Sequence, residues 1–190
     1  MLEHESVFSP WVPGELGERA VLDGLPGPAS TQRVYQAMID AIETEGPIQV
    51  DRLVRLVAAG FGLHRVVASR HAHIVAVLPA GLRSDPAAPD FVWPPSLDPL
   101  AWEGFRRTPH GVERSLEQVS TREIGNAMVV LCGASAGMTE DQLWAGTLEV
   151  FGFTRRSAAQ VARLENALGL LLGSGRLIRR EDGLLVRPMG

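Results

Sequence analysis

Apolar residues recur at helical spacing in two separate stretches of this chain, after a start rich in proline and glycine. From Thr31, the residues Val34, Met38 and Ile42 fall four apart, which predicts a helix that stops at Gly46-Pro47. Leu53, Val54, Leu56 and Val57 predict a second helix over about 50–59. After Phe61-Gly62-Leu63 a third is expected from about Arg65 to Leu78, with Val67, Ile74 and Leu78 on one face. Turn residues fill 79–89, and Phe91-Val92-Trp93 reads as a short strand stopped by Pro94-Pro95.

The second stretch follows a connector in which Asp98-Pro99 is expected to open a short helix holding Trp102 and Phe105. Ser120 with Glu123, and Thr139 with Gln142, are spaced as capping boxes. They predict helices over about 121–132 and 140–150. Phe151-Gly152-Phe153 repeats the earlier turn, and Val161, Leu164, Leu168 and Leu171 predict a helix from Ser157 to Leu172. Residues 176–180 and 184–187 around Asp182-Gly183 read as a β-hairpin.

A shift of 90 residues aligns the two stretches without a gap. Ala37-Met38 falls on Ala127-Met128, Asp51 on Asp141, Leu53 on Leu143, Phe61-Gly62 on Phe151-Gly152, Arg65 on Arg155 and Leu78 on Leu168. Each half reads helix, helix, tight turn, helix, then β, the order of a winged helix-turn-helix. The expected fold is therefore mostly α with small β wings, a tandem winged helix of two pseudo-repeats. Its expected division is an extended lead-in over 1–30, a first unit over 31–96, a connector over 97–119 and a second unit over 120–190. Phe8, Trp11 and Val12 could pack the lead-in on the body.

Composition narrows the chemistry. All 18 basic residues are arginine. With no lysine, neither a P-loop nor a Schiff-base enzyme is available. The single cysteine, Cys132, forms no intrachain disulfide and fits a reducing, cytoplasmic setting. Neither a secretory leader nor a membrane span is visible, and no cofactor is expected. The net charge of −4 is unevenly spread: residues 51–83 carry five arginines against Asp51, and residues 151–190 seven arginines against three acids. The stretch 84–150, by contrast, carries four arginines against ten acids.

Gly133-Ala134-Ser135-Ala136-Gly137 matches a hydrolase nucleophile elbow, but every histidine precedes Ser135, against that fold's order of serine, acid, histidine. It is expected to be a loop. His71 and His73, two apart on a helix, point in different directions and do not make a metal site alone. His71 is expected half-buried and His73 at the surface.

A nucleic-acid contact is expected on the third helix of each half. Arg65, Ser69, His73 and Ala76 lie opposite the apolar stripe in the first, and Arg156, Gln160 and Arg163 do so in the second. Arginine pairs with guanine and glutamine with adenine in a major groove, and the wing adds Arg176, Arg179 and Arg180 for phosphates. The competing expectation is structural: Arg65 with Asp51, and Arg155 with Asp141, could be ion pairs tying the second helix to the third.

The runs Glu45-Gly46-Pro47-Ile48-Gln49-Val50-Asp51-Arg52-Leu53 and Phe61-Gly62-Leu63-His64-Arg65 resemble a C-terminal region of large bacterial multidomain proteins. So do Phe91-Val92-Trp93-Pro94, Trp102, Phe105-Arg106 and Glu123-Ile124-Gly125-Asn126-Ala127-Met128. Those proteins are superfamily-one DNA helicase-like, often with a restriction-endonuclease-like domain before the tail. The resemblance covers nearly all of the chain beyond the lead-in and implies a DNA-processing context in genome defence or repair. It carries over no catalytic residue, because motor and nuclease motifs lie outside this chain. The expected function is a non-catalytic DNA-binding accessory module, with DNA and the helicase or nuclease domains of a larger protein as partners. The alternative is a protein-docking or dimerisation scaffold that uses the same surfaces.

Overall fold

The computed structural model describes residues 2–188 and is mostly α-helical with small sheets. In chain order the elements are β1 (Glu5–Val7), α1 (Ala20–Asp23), α2 (Pro28–Glu45), β2 (Ile48–Gln49), α3 (Val50–Gly60), α4 (Ala68–Val75), β3 (Arg83–Asp85) and β4 (Ala88–Trp93). There follow β5 (Phe105–Arg107), a 3₁₀ turn (Leu116–Gln118), α5 (Thr121–Gly133), α6 (Glu140–Val150), α7 (Ala158–Gly173), β6 (Ile178–Arg179) and β7 (Leu185–Val186). They pack as two units: an N-terminal unit, Ser9–Leu100, and a C-terminal unit formed from Ala101 onward together with the residues up to Phe8.

In the N-terminal unit, α2 presents Val34, Met38 and Ile42 to a core completed by Leu53, Val57, Phe61 and Ile74, all essentially inaccessible to water. Burying such side chains is the dominant favourable contribution to folding, about 1.5–3 kcal/mol each. The sheet order is β2-β4-β3, antiparallel throughout, with Ile48 opposite Val92. Helix α2 begins at Pro28 rather than at Thr31. A proline at the first helical position lacks only an N–H that would have gone unpaired there, so what reads as a breaker is a start signal. The lead-in is also more structured than expected, since it contains β1 and α1.

The third helix is shorter than the expected 65–78. It starts at Ala68, after Val67 at its N-cap in an extended conformation. The β-branched pair Val66-Val67 suits that conformation better than a helix. Val67, expected in the core, is 58% exposed as a result.

In the C-terminal unit, the core residues Ile124, Met128, Leu143, Phe151 and Leu164 stand 90 positions after Val34, Met38, Leu53, Phe61 and Ile74, and all are buried. The turn before the last helix repeats as well. Gly62 and Gly152 both have positive φ (+74° and +84°), where a side chain would be strained. The following N–H groups, of Leu63 and Phe153, donate to the carbonyls of Ala58 and Leu148, each at 2.9 Å. This six-to-one bond closes the preceding helix in a Schellman arrangement. An extended residue precedes the second helix in both units: Ile48 in β2, and Met138, which bridges Leu185 of the β6–β7 hairpin.

The connector corrects one expectation. Phe105 lies in a strand, β5, not in a helix, and β5 pairs in parallel with β1, with Phe105 opposite Glu5. A partner about 100 residues away in sequence is invisible to local pattern, and it overrides local propensity. Arg107 clasps Glu5 across this pair at 2.6 Å, and that hydrogen bond holds the Glu5 carboxyl below its usual range.

Gly169 sits inside α7 with a negative φ and open space where a Cβ would be. Gly169→Ala is therefore expected to stabilise the chain by up to about 1 kcal/mol, the helix-propensity gap between the two residues. A rise in the thermal midpoint checks this.

Candidate nucleic-acid interface

Of the residues singled out from sequence for nucleic-acid contact, Arg65 and Arg156 lie in the turn before the last helix of their unit and the others on that helix or after it; their partners sort them. Asp51 and Asp141 do tie the second helix to the segment that follows, but not through the expected arginines. Asp51 meets His71 at 2.8 Å, and Asp141 meets Arg156 at 2.8 Å. Arg65 and Arg155, the pair repeated at 90 residues, are both exposed and make no hydrogen bond or ion pair among the described residues. Arg65 lies in the turn, two residues before the N-cap of α4, because that helix starts late. Arg55, exposed on α3, is likewise without a partner among the described residues. Nothing in its spacing along the sequence marks it.

Of the remaining candidates on α4, Ser69 and His73 are exposed, whereas His71 is half-buried as expected. The α4 N-terminus has no side-chain cap, so its first N–H groups are open to solvent or to a ligand.

The C-terminal unit's candidates are mostly committed elsewhere. Gln160 is the third residue of a capping box. Its side-chain oxygen accepts the Ser157 N–H at 2.8 Å while the Ser157 hydroxyl accepts the Gln160 N–H at 3.3 Å. Gln160→Ala is accordingly expected to lower stability by about 1 kcal/mol while leaving any nucleic-acid affinity unchanged. Thermal melts beside a binding titration separate the two effects.

Arg163 is not on an outer face. Its Nη2 donates to the Val119 carbonyl at 2.6 Å, lacing α7 to the segment before α5. Arg176 is half-buried, donates to Asn126 Oδ1 at 2.9 Å, and is pushed below the ordinary arginine range by burial. Asn126 in turn donates to the carbonyls of Trp102 and Gly104, at 2.8 and 2.9 Å, which fixes the connector on α5. At the β6–β7 hairpin, Arg179 pairs with Glu140, and Arg180 with Asp182. These hairpin arginines thus already have local counter-ions.

A cleft of about 770 Å³ lies beside the Gly152 turn, between the loop 107–115 and Glu149. Its arginines, Arg107 and Arg114, are already bound, Arg107 to Glu5 and Arg114 to the Glu123 carboxylate that it shares with Arg106. Ser135 lies in the loop after α5, where its hydroxyl donates to the Cys132 carbonyl at 3.2 Å. The next helix starts at Glu140.

Sequence reasoning also missed a buried charge cluster. Glu123 forms only half of the expected capping box: its N–H donates to the Ser120 hydroxyl, but its carboxylate turns inward. There it accepts from Arg106 Nε at 2.9 Å and Nη2 at 2.8 Å, and from Arg114 Nη1 at 3.1 Å and Nη2 at 2.7 Å. Burial works to raise the Glu123 pKa, yet the two guanidinium charges outweigh it and hold the carboxyl down to about 2. The Phe8 ring lies 4.1 Å from Arg114 and 5.4 Å from Arg106, so its π face meets the charge that one carboxylate leaves over.

A family model described as a protein of unknown function (DUF3320) matches residues 23–71. The match runs from the end of α1 to the middle of α4 and includes Arg55 and Arg65. No curated protein and no solved structure matches the chain. No helix among the described residues is long and apolar enough to cross a membrane, and no group of three or more of their acidic, histidine or cysteine side chains could hold a metal ion.

Proposed function

We propose that the chain is a non-catalytic DNA-binding module built of two winged helices, in which the turn before each third helix grips the phosphate backbone. The observation that carries this reading is the repeated pair Arg65 and Arg155, exposed and unpartnered among the described residues at the same position of both repeats. A purely structural arginine would be paired, as Arg163 and Arg176 are. An arginine just before a helix start stands where helix N–H groups and the macrodipole also favour an anion.

The order helix, short strand, helix, helix, hairpin in the N-terminal unit, matched in the C-terminal unit with the single bridge at Met138 in place of the strand, supports the winged-helix assignment. So does the placing of the second hairpin strand between the first strand and its hairpin mate in the N-terminal unit. The resemblance to the tail of bacterial helicase-like proteins supports DNA as the ligand and a larger DNA-processing protein as the setting.

The overall charge of −4 opposes a polyanion, so the contact is local and strongest at low salt. Fluorescence anisotropy with a labelled mixed-sequence duplex across a salt series tests this. Affinity should fall linearly on a log–log plot as salt rises. Salt-indifferent binding, or none at about 50 mM salt, would turn the reading to the protein-docking scaffold.

A further inference from the structure

We infer that this DNA contact is blind to sequence: the third helices hold the duplex by its phosphates and read no base edges. The inference rests on the DNA-binding reading above and goes further by naming the class of target, any duplex rather than an operator.

A third helix enters the major groove by its N-terminal half, and base discrimination there comes from long side chains with two hydrogen-bonding groups. In α7 that half exposes Ala158, Ala159 and Ala162. Gln160, the one residue there with an adenine-reading amide, is held in the capping box, and Arg163 is held on the Val119 carbonyl. The next exposed residue in α7 is Glu165, which repels phosphate.

The exposed residues of α4 are Ala68, Ser69, Ala72 and His73. Alanine offers a methyl group and no hydrogen bond, and serine accepts or donates to any base. No arginine, asparagine or glutamine occurs on α4 apart from Arg70, whose guanidinium is spent on Asp23 and the Leu22 carbonyl. On the N-terminal halves of α4 and α7 the side chains that could make bidentate base contacts are therefore tied into the fold; the exposed amide of Asn166 lies in the C-terminal half of α7, Arg55 is on α3, and Arg65 and Arg155 lie in the turns before the helices. That division of labour is what a backbone-gripping module needs. It also suits a chain whose sequence choice would be made by other domains.

A third helix with one bidentate pair would separate right from wrong duplexes by on the order of 10- to 100-fold. Here unrelated duplexes should differ by no more than about three-fold. The test is selection from a pool of duplexes with a randomised 20-base-pair centre at low salt, followed by anisotropy on several recovered and unselected duplexes. His73→Ala is measured alongside, because His73 carries the imidazole on α4 that has no partner among the described residues.

The expected result is recovery without an enriched motif, equal affinities, and no change in that ranking for His73→Ala. An enriched motif bound more than ten-fold better than the pool would overturn the inference and leave DNA binding itself standing. A preference that His73→Ala abolishes would overturn it too and name the reader. Absence of salt-sensitive binding to the whole pool would instead bring down the reading on which the inference rests.

Discussion

Replacing Glu123 with alanine is expected to unfold the C-terminal unit or cost it about 3–5 kcal/mol, the usual penalty for breaking a buried ion pair from one side. The substitution leaves Arg106 and Arg114 facing each other with no carboxylate between them. Their side chains are 10% and 1% exposed, so water cannot take over. Glu123→Gln keeps the shape and is expected to fail nearly as badly, since the charge is what the two guanidiniums require. Cys132 provides the readout: it is buried in the same core, and burial pushes its thiol up to about 11. A thiol reagent that ignores the native chain should label both variants at neutral pH.

The same cluster sets an acid limit. The Glu123 carboxyl is held near 2 when folded and returns to its ordinary value near 4.5 when the chain unfolds. The unfolded chain therefore takes up the proton first, and the stabilisation is complete above about pH 4.5 and drains away as pH falls from there toward 2. Near-UV circular dichroism of the wild type through that window should show the loss.

The second large effect concerns binding. Arg65→Ala/Arg155→Ala is expected to weaken duplex binding by about ten-fold per arginine near 50 mM salt, and to lower the salt slope by about 0.9 for each phosphate no longer neutralised. Because both side chains are exposed and lack partners among the described residues, folding stability should change by less than about 0.5 kcal/mol. Arg179→Ala/Arg180→Ala should do less to binding, since Glu140 and Asp182 already neutralise that part of the β6–β7 hairpin.

The helices were legible because their signals are local. Val34, Met38 and Ile42 share a face by spacing alone, Thr139 and Ser157 cap helices within three residues, and Gly62 and Gly152 announce turns that need positive φ. The β1–β5 pair was hidden because it joins residues about 100 apart, and the Trp102–Phe105 segment carried a helix signal that this pairing defeats.

The candidate site was legible by position but not by commitment. Sequence put Arg65 and Arg155 at matching places, yet Asp51 looked as good a partner for Arg65 as His71 proved to be for Asp51. Gln160 and Arg163 carry the right chemistry for bases; only the geometry reveals that Ser157 and the Val119 carbonyl already hold them. Glu123 stands at capping-box spacing from Ser120, and no spacing rule connects it to Arg106 and Arg114, because their meeting depends on how the connector crosses α5.

The most direct test of DNA binding through the repeated arginines is the salt slope for the wild type set against Arg65→Ala/Arg155→Ala, both verified as folded by their melting curves. A slope that falls by about two, with unchanged melting, is the predicted result. Identical slopes and affinities in the two proteins would contradict it, because the arginines repeated across both units would then have no part in holding DNA.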